Sequence, residues 1–161
     1  MLLSGIFLLN LTDVEKSGII NLGSDNMAEY TMLGKINTQP LEQEFGKLKT
    51  DEVVVTNERM EHIKKHHPQD VELFEQYASK AIQNPDIIIK DLKNSDTIFA
   101  VRRLEKTNLN VVLKLVLEGN GEDIKNSVIS FYRIRTANLK KLEEKIKYFT
   151  NMNNCAIIKV R

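Results

Sequence analysis

The chain has one cysteine and three prolines, and no apolar run long enough to cross a bilayer. Each scarcity removes a class of protein. A lone thiol closes no internal disulfide, so a secreted, disulfide-stapled framework is excluded and a reducing compartment fits. That thiol, Cys155, sits in an apolar run before Ile157 and Ile158, which suits a partly buried strand cysteine better than a nucleophile. The most apolar stretch, Met1 to Leu11, falls short of the roughly 18 residues a spanning helix needs. It also lacks a basic leader and a small-residue cleavage site, so it is expected to be a strand or an extension and not a signal peptide. A net charge of only +1 gives no global field to hold the chain on nucleic acid. No P-loop lysine motif and no nucleophile elbow is present. Gly119-Asn120-Gly121 lacks the third glycine of a dinucleotide fingerprint and falls between strands.

What remains, in 161 residues that are 42% apolar and 28% charged, is the composition of one globular domain. We read residues 1–30 as an N-terminal extension carrying a strand, with Met27 as an alternative start, and 31–161 as the domain proper. Gly18 to Ala28 carries turn residues. Tyr30 to Ile36 reads as a strand and Gln39 to Phe45 as a short helix or loop. The β-branched run Val53-Val54-Val55 precedes a helix capped by Thr56 or Asn57. Pro68 ends that helix and starts a second one, whose apolar stripe is Val71, Phe74, Ala78 and Ala81. Four strands follow, at Ile87–Lys90, Thr97–Leu104, Asn110–Leu117 and Ser127–Ile134, separated by short turn-like breaks. Such spacing predicts an antiparallel meander. A final helix from about Ala137 to Phe149 presents Leu139, Leu142, Ile146 and Phe149 on one face. The expectation is an α+β domain of two helices, a four-stranded antiparallel sheet and a C-terminal helix, with the helices on one face of the sheet.

The chemistry concentrates in Glu61-His62-Ile63-Lys64-Lys65-His66-His67-Pro68, which holds all three histidines of the chain. Histidine titrates near neutrality, so this is where proton transfer is expected. The bland alternative makes His67 a helix-junction cap and leaves His62 and His66 solvated. His62 and His66 have the spacing of a two-histidine zinc site, but the glutamate that should follow the first histidine is replaced by Ile63. Zinc therefore ranks below acid–base chemistry, and no metal or cofactor is assigned. On the strands, Lys114 alternates with leucines, Arg102 and Arg103 point to opposite faces, and Ser130 and Tyr132 oppose Arg133 and Arg135. Cations and hydroxyls beside histidines are what phosphodiester chemistry uses.

The runs TDEVVVTNERMEHIKKHHPQD, NPDIIIKD, VVLKLVL and SVISFYRIR, in that order and before a helix, resemble the phage-associated nucleases of the Barnase–EndoU–colicin–RelE-like fold. The likeness spans about residues 33–148, and its most specific part is His62-Ile63 followed by His67-Pro68. It implies a metal-independent ribonuclease of phage or prophage origin in the cytoplasm of a bacterial host. RNA would be the substrate, and a protein inhibitor or a phage structural protein a partner; no membrane is involved. Carried onto this chain, it implies His62 and His67 as base and acid for attack by the 2′-hydroxyl. Lys114 and Ser130 are added as catalytic groups, with Arg102, Arg133 and His66 against phosphate. The competing reading is an inactive RNA- or protein-binding phage accessory protein.

Overall fold

The computed structural model describes residues 29–150 and 157–158, with side chains through Glu144. The readings for Met1–Leu11, Gly18–Ala28, Cys155 and the side chains of Ile146 and Phe149 fall outside what is described. Seven strands order as β1 (Tyr30–Lys35), β2 (Glu52–Thr56), β6 (Asn126–Ile134), β5 (Asn108–Lys114), β4 (Thr97–Arg103), β3 (Ile87–Lys90) and the two-residue β7 (Ile157–Ile158). Four helices accompany them among the described residues: α1 (Gln39–Phe45), α2 (Asn57–His66), α3 (Val71–Gln83) and α4 (Thr136–Thr150). The α+β class expected from the sequence holds at this level.

The four expected meander strands are present and pair antiparallel in the order β3–β4–β5–β6. They are not the whole sheet. β2 adds to β6 in parallel, through Val53–Asn126 and Val54–Ser127, and β1 pairs antiparallel with β2. The sheet is therefore open and mixed, six strands wide with β7 added at one edge, and not a four-stranded antiparallel one. The physical reason is burial. Val53, Val54 and Val55 are at most 5% exposed, so a consecutive apolar run that faces both sides needs a neighbouring strand as well as a helix.

The expectation that all helices share one face is also corrected. On one face, Leu109, Val111 and Leu113 of β5, with Leu115 just after it, pack with Ile98, Ala100, Val128 and Phe131 against α2 and α3. On the other, Ile87, Ile89, Val101 and Ile134 pack with Leu139 and Leu142 of α4. Alternation along each strand produces two cores, one per face. An extra residue in β6, Ile129, shifts the register between the pairs Val112–Ser130 and Leu113–Val128. That bulge lets Val128 and Phe131, three apart, point to the same side.

α3 lies across the first core through Phe74, Ala78, Ala81 and Ile82, close to the stripe read from the sequence. Phe74 meets Phe131 edge-on, with centroids 5.0 Å apart. Such a pair contributes about 0.5–1.5 kcal/mol beyond its buried area. β2 and β6 are further joined by Asn126, whose Oδ1 accepts from Val116 N–H at 2.8 Å. Its Nδ2 donates to the carbonyls of Thr50 and Glu52 at 2.9 and 3.0 Å. A fully buried amide is tolerated here because every one of those bonds is made.

Candidate functional site

The histidine helix begins where β2 stops, with no intervening loop. Thr56 is still extended, and its Oγ1 accepts from Arg59 N–H at 3.2 Å, which caps α2. Glu58 sits at the positive end of the helix, and Lys64, Lys65 and His66 at its negative end, the charge order a helix dipole favours. Ile63, 1% exposed, anchors α2 on the sheet, and the helix rests on β2 and β6. With about 100° per residue, Arg59, His62 and His66 fall on one solvent-facing flank.

On that flank the rings of His62 and His66 stand with centroids 4.3 Å apart and planes tilted by 40°. Desolvation is the first cause of a lowered His62 proton affinity, and the positive neighbours His66, Arg59, His67 and Lys65 add to it. His62 is thus held toward the neutral form, which is the form a general base needs. His67 ends the helix. Its N–H donates to Ile63 O at 2.8 Å and its carbonyl accepts from Asp70 N–H at 2.9 Å, across the short 3₁₀ turn Pro68–Asp70. The bland part of the sequence reading is correct to this extent: His67 is a junction residue, and His62 and His66 are exposed.

Sequence reasoning missed Asp70. It is 4% exposed, and it faces Arg133 of β6, whose Nε stands 2.5 Å from its Oδ1 in an ion-pair contact not aligned as a hydrogen bond. This contact brings Arg133 to the His67–Pro68 turn. The only signal was an arginine on a strand in need of a partner, and the sequence places 62 residues between Asp70 and Arg133.

The other predicted residues do not converge. Lys114 follows Leu113 and precedes Leu115, both buried toward α2 and α3, so its side chain emerges on the opposite face. There it pairs with Asp123 at 3.0 Å, and that hydrogen bond raises its proton affinity. Ser130 pairs with Val112 across the ladder and shares the face of Lys114. Arg102 shares the helix face but donates to Asn84 O at 2.8 Å and reaches Asp86 at 3.5 Å, at the end of α3. His62 and His66 share one flank of α2 with Arg59, and the turn that follows holds His67 and the Asp70–Arg133 pair; Lys114, Ser130 and Arg102 stand apart from these.

A cleft of about 720 Å³ opens between β1, α2 and α3, lined by Thr31, Met32, Val55, Met60, Lys64 and Phe74 among others. Met60 and Lys64 lie about half a turn around α2 from His62 and His66, so the cleft and the histidine pair occupy opposite flanks of one helix. Among the described residues, no group of three or more His, Cys, Asp or Glu is arranged to hold a metal ion, and no helix is long and apolar enough to cross a membrane. No protein-family model, curated protein or solved structure matches this chain.

Proposed function

We propose that this chain is a metal-independent ribonuclease of phage or prophage origin, acting in the bacterial host on RNA at the C-terminal half of α2. The observation that carries the reading is the His62–His66 pair on α2, followed directly by a turn that holds His67 and the buried Asp70, to which Arg133 is paired. His62, kept toward its neutral form, takes the proton of the 2′-hydroxyl as that oxygen bonds to phosphorus. His67 gives a proton to the departing 5′-oxygen. Arg133 and Arg59 offset the charge that develops on the phosphate oxygens, and His66 hydrogen-bonds one of them. Lys114, Ser130 and Arg102 have no part in this version, because Lys114 and Arg102 are paired elsewhere and Ser130 lies on the far face of the sheet.

The test is incubation of the purified protein with total RNA and with transfer RNA in excess chelator, beside His62→Ala and His67→Ala. Cleavage by the parent and its loss, by about a hundredfold or more, in each variant is expected for a base and an acid. Undiminished cleavage by His62→Ala would overturn the assignment.

A second reading, RNA or protein binding without turnover as a phage accessory protein, is favoured by one specific observation. Two groups that the acid–base reading first enlisted, Lys114 and Ser130, are separated from the histidines by the sheet itself. RNA retained on the protein but left intact would select this reading, with a protein inhibitor or a phage structural protein as the next partner to seek.

A further inference from the structure

We propose that His62 and His66 together chelate one divalent transition-metal ion of the copper–zinc type, with water completing its coordination. The inference rests on the geometry of the pair and stands or falls apart from the ribonuclease reading.

Two imidazoles one helical turn apart project from the same side of α2, and their ring centroids are already 4.3 Å from each other. A metal–nitrogen bond is about 2.0–2.1 Å, so an ion between the two rings reaches a nitrogen of each with side-chain rotation alone. Both residues are exposed, so neither ring has to leave a packed position to turn. The helix beneath them is fixed at both ends of the pair. Ile63 is buried in the core, and His67 N–H closes the last turn on Ile63 O at 2.8 Å. The backbone order that a chelate requires is therefore present before the ion arrives.

Imidazole is a borderline ligand that suits zinc, copper and nickel, and not magnesium or calcium, which prefer oxygen. Among the first group affinity rises toward copper(II). A metal competes with the proton for the same nitrogens, so binding should strengthen as the pH rises. Arg59 and Lys65 repel an arriving cation as they repel a proton, but the ion gains two nitrogens where the proton gains one. Because no third side chain completes a site among the described residues, the ion would be held as a two-point surface chelate with open positions, not as a structural centre.

If the chain is also a ribonuclease, the ion would occupy the nitrogen that His62 needs as a base, and zinc would inhibit it. A chelator would then restore activity.

The experiment is titration of the full chain with zinc chloride, with magnesium chloride as the control, observed through the imidazole ¹H–¹⁵N signals. His62 and His66 are expected to shift together and saturate at one equivalent of zinc, with no response to magnesium. Replacing His66 by glutamine should weaken zinc binding by about tenfold or more, since a linked second ligand acts at high effective concentration. His67→Gln should leave it unchanged, and circular dichroism should confirm that each variant is folded. Equal zinc affinity in His62→Gln, His66→Gln and the parent would overturn the proposal, as would His62 and His66 signals that do not move. Zinc binding without any RNA cleavage would leave the chelate standing and remove the ribonuclease reading instead.

Discussion

Asp70 occupies the N-terminus of α3, where an aspartate ordinarily accepts a backbone N–H, yet its side chain makes no such bond. It turns inward to Arg133. A buried carboxylate without its cation is costly, so Arg133→Ala should destabilise the fold by about 1–3 kcal/mol, moderated because the arginine is 45% exposed. Urea unfolding measures this, and adding Asp70→Ala to Arg133→Ala should recover part of the loss. No recovery in the double variant would mean that the pair is uncoupled. His62 supplies a second expectation at this scale. In a titration followed by NMR its midpoint should lie below 6.5, because desolvation and then the neighbouring positive groups disfavour the proton. Its neutral form is the one the fold favours, so any stability linked to it is retained above that range and falls as the pH drops through it. Arg59→Gln removes one of the positive neighbours, and the midpoint should rise. A ribonuclease that uses His62 as base should lose activity on the acid side over the same range.

At the scale of elements, the junction of β2, β6 and the segment after β5 depends on Asn126. Its three hydrogen bonds satisfy Val116 N–H and the carbonyls of Thr50 and Glu52, and the neighbouring Lys125 pairs with Glu52. Asn126→Leu should cost about 2–4 kcal/mol, since those backbone groups lose their partners where water does not replace them. Thermal unfolding tests this; a melting temperature unchanged from the parent would show that the junction is held by packing alone. The sequence marked this region only as the start of a strand at Ser127. Local patterning revealed the meander because each of its strands finds a partner just across a short turn. β2 pairs with a strand about seventy residues later, and nothing in Val53-Val54-Val55 announces which strand that is. The same reasoning explains the site. The histidines were legible because they cluster in sequence, and so was the placement of Lys114 opposite its flanking leucines, whereas the face of Ser130 relative to Val128 was fixed by the bulge at Ile129.

For the whole molecule, the two cores differ in weight. The core beneath α2 and α3 holds Phe74, Phe131 and most of the buried aliphatic side chains, while the one beneath α4 is smaller. Hydrogen exchange should therefore be slowest in β4, β5 and the start of β6, which pair on both sides, and faster in β1, which has a described neighbour on one side only. A β1 protected as strongly as β5 would show that another segment covers that edge.

The parallel pairing of β2 with β6 also sets an order in time. As the chain leaves the ribosome from its N-terminus, β2 and the histidine helix emerge well before the strand they rest on. Until β6 follows, Asp70 has no arginine and Ile63 lacks part of the surface that buries it. A protein proposed to cut RNA would thus be made on an RNA machine with its cutting helix unsupported until about seventy further residues had emerged.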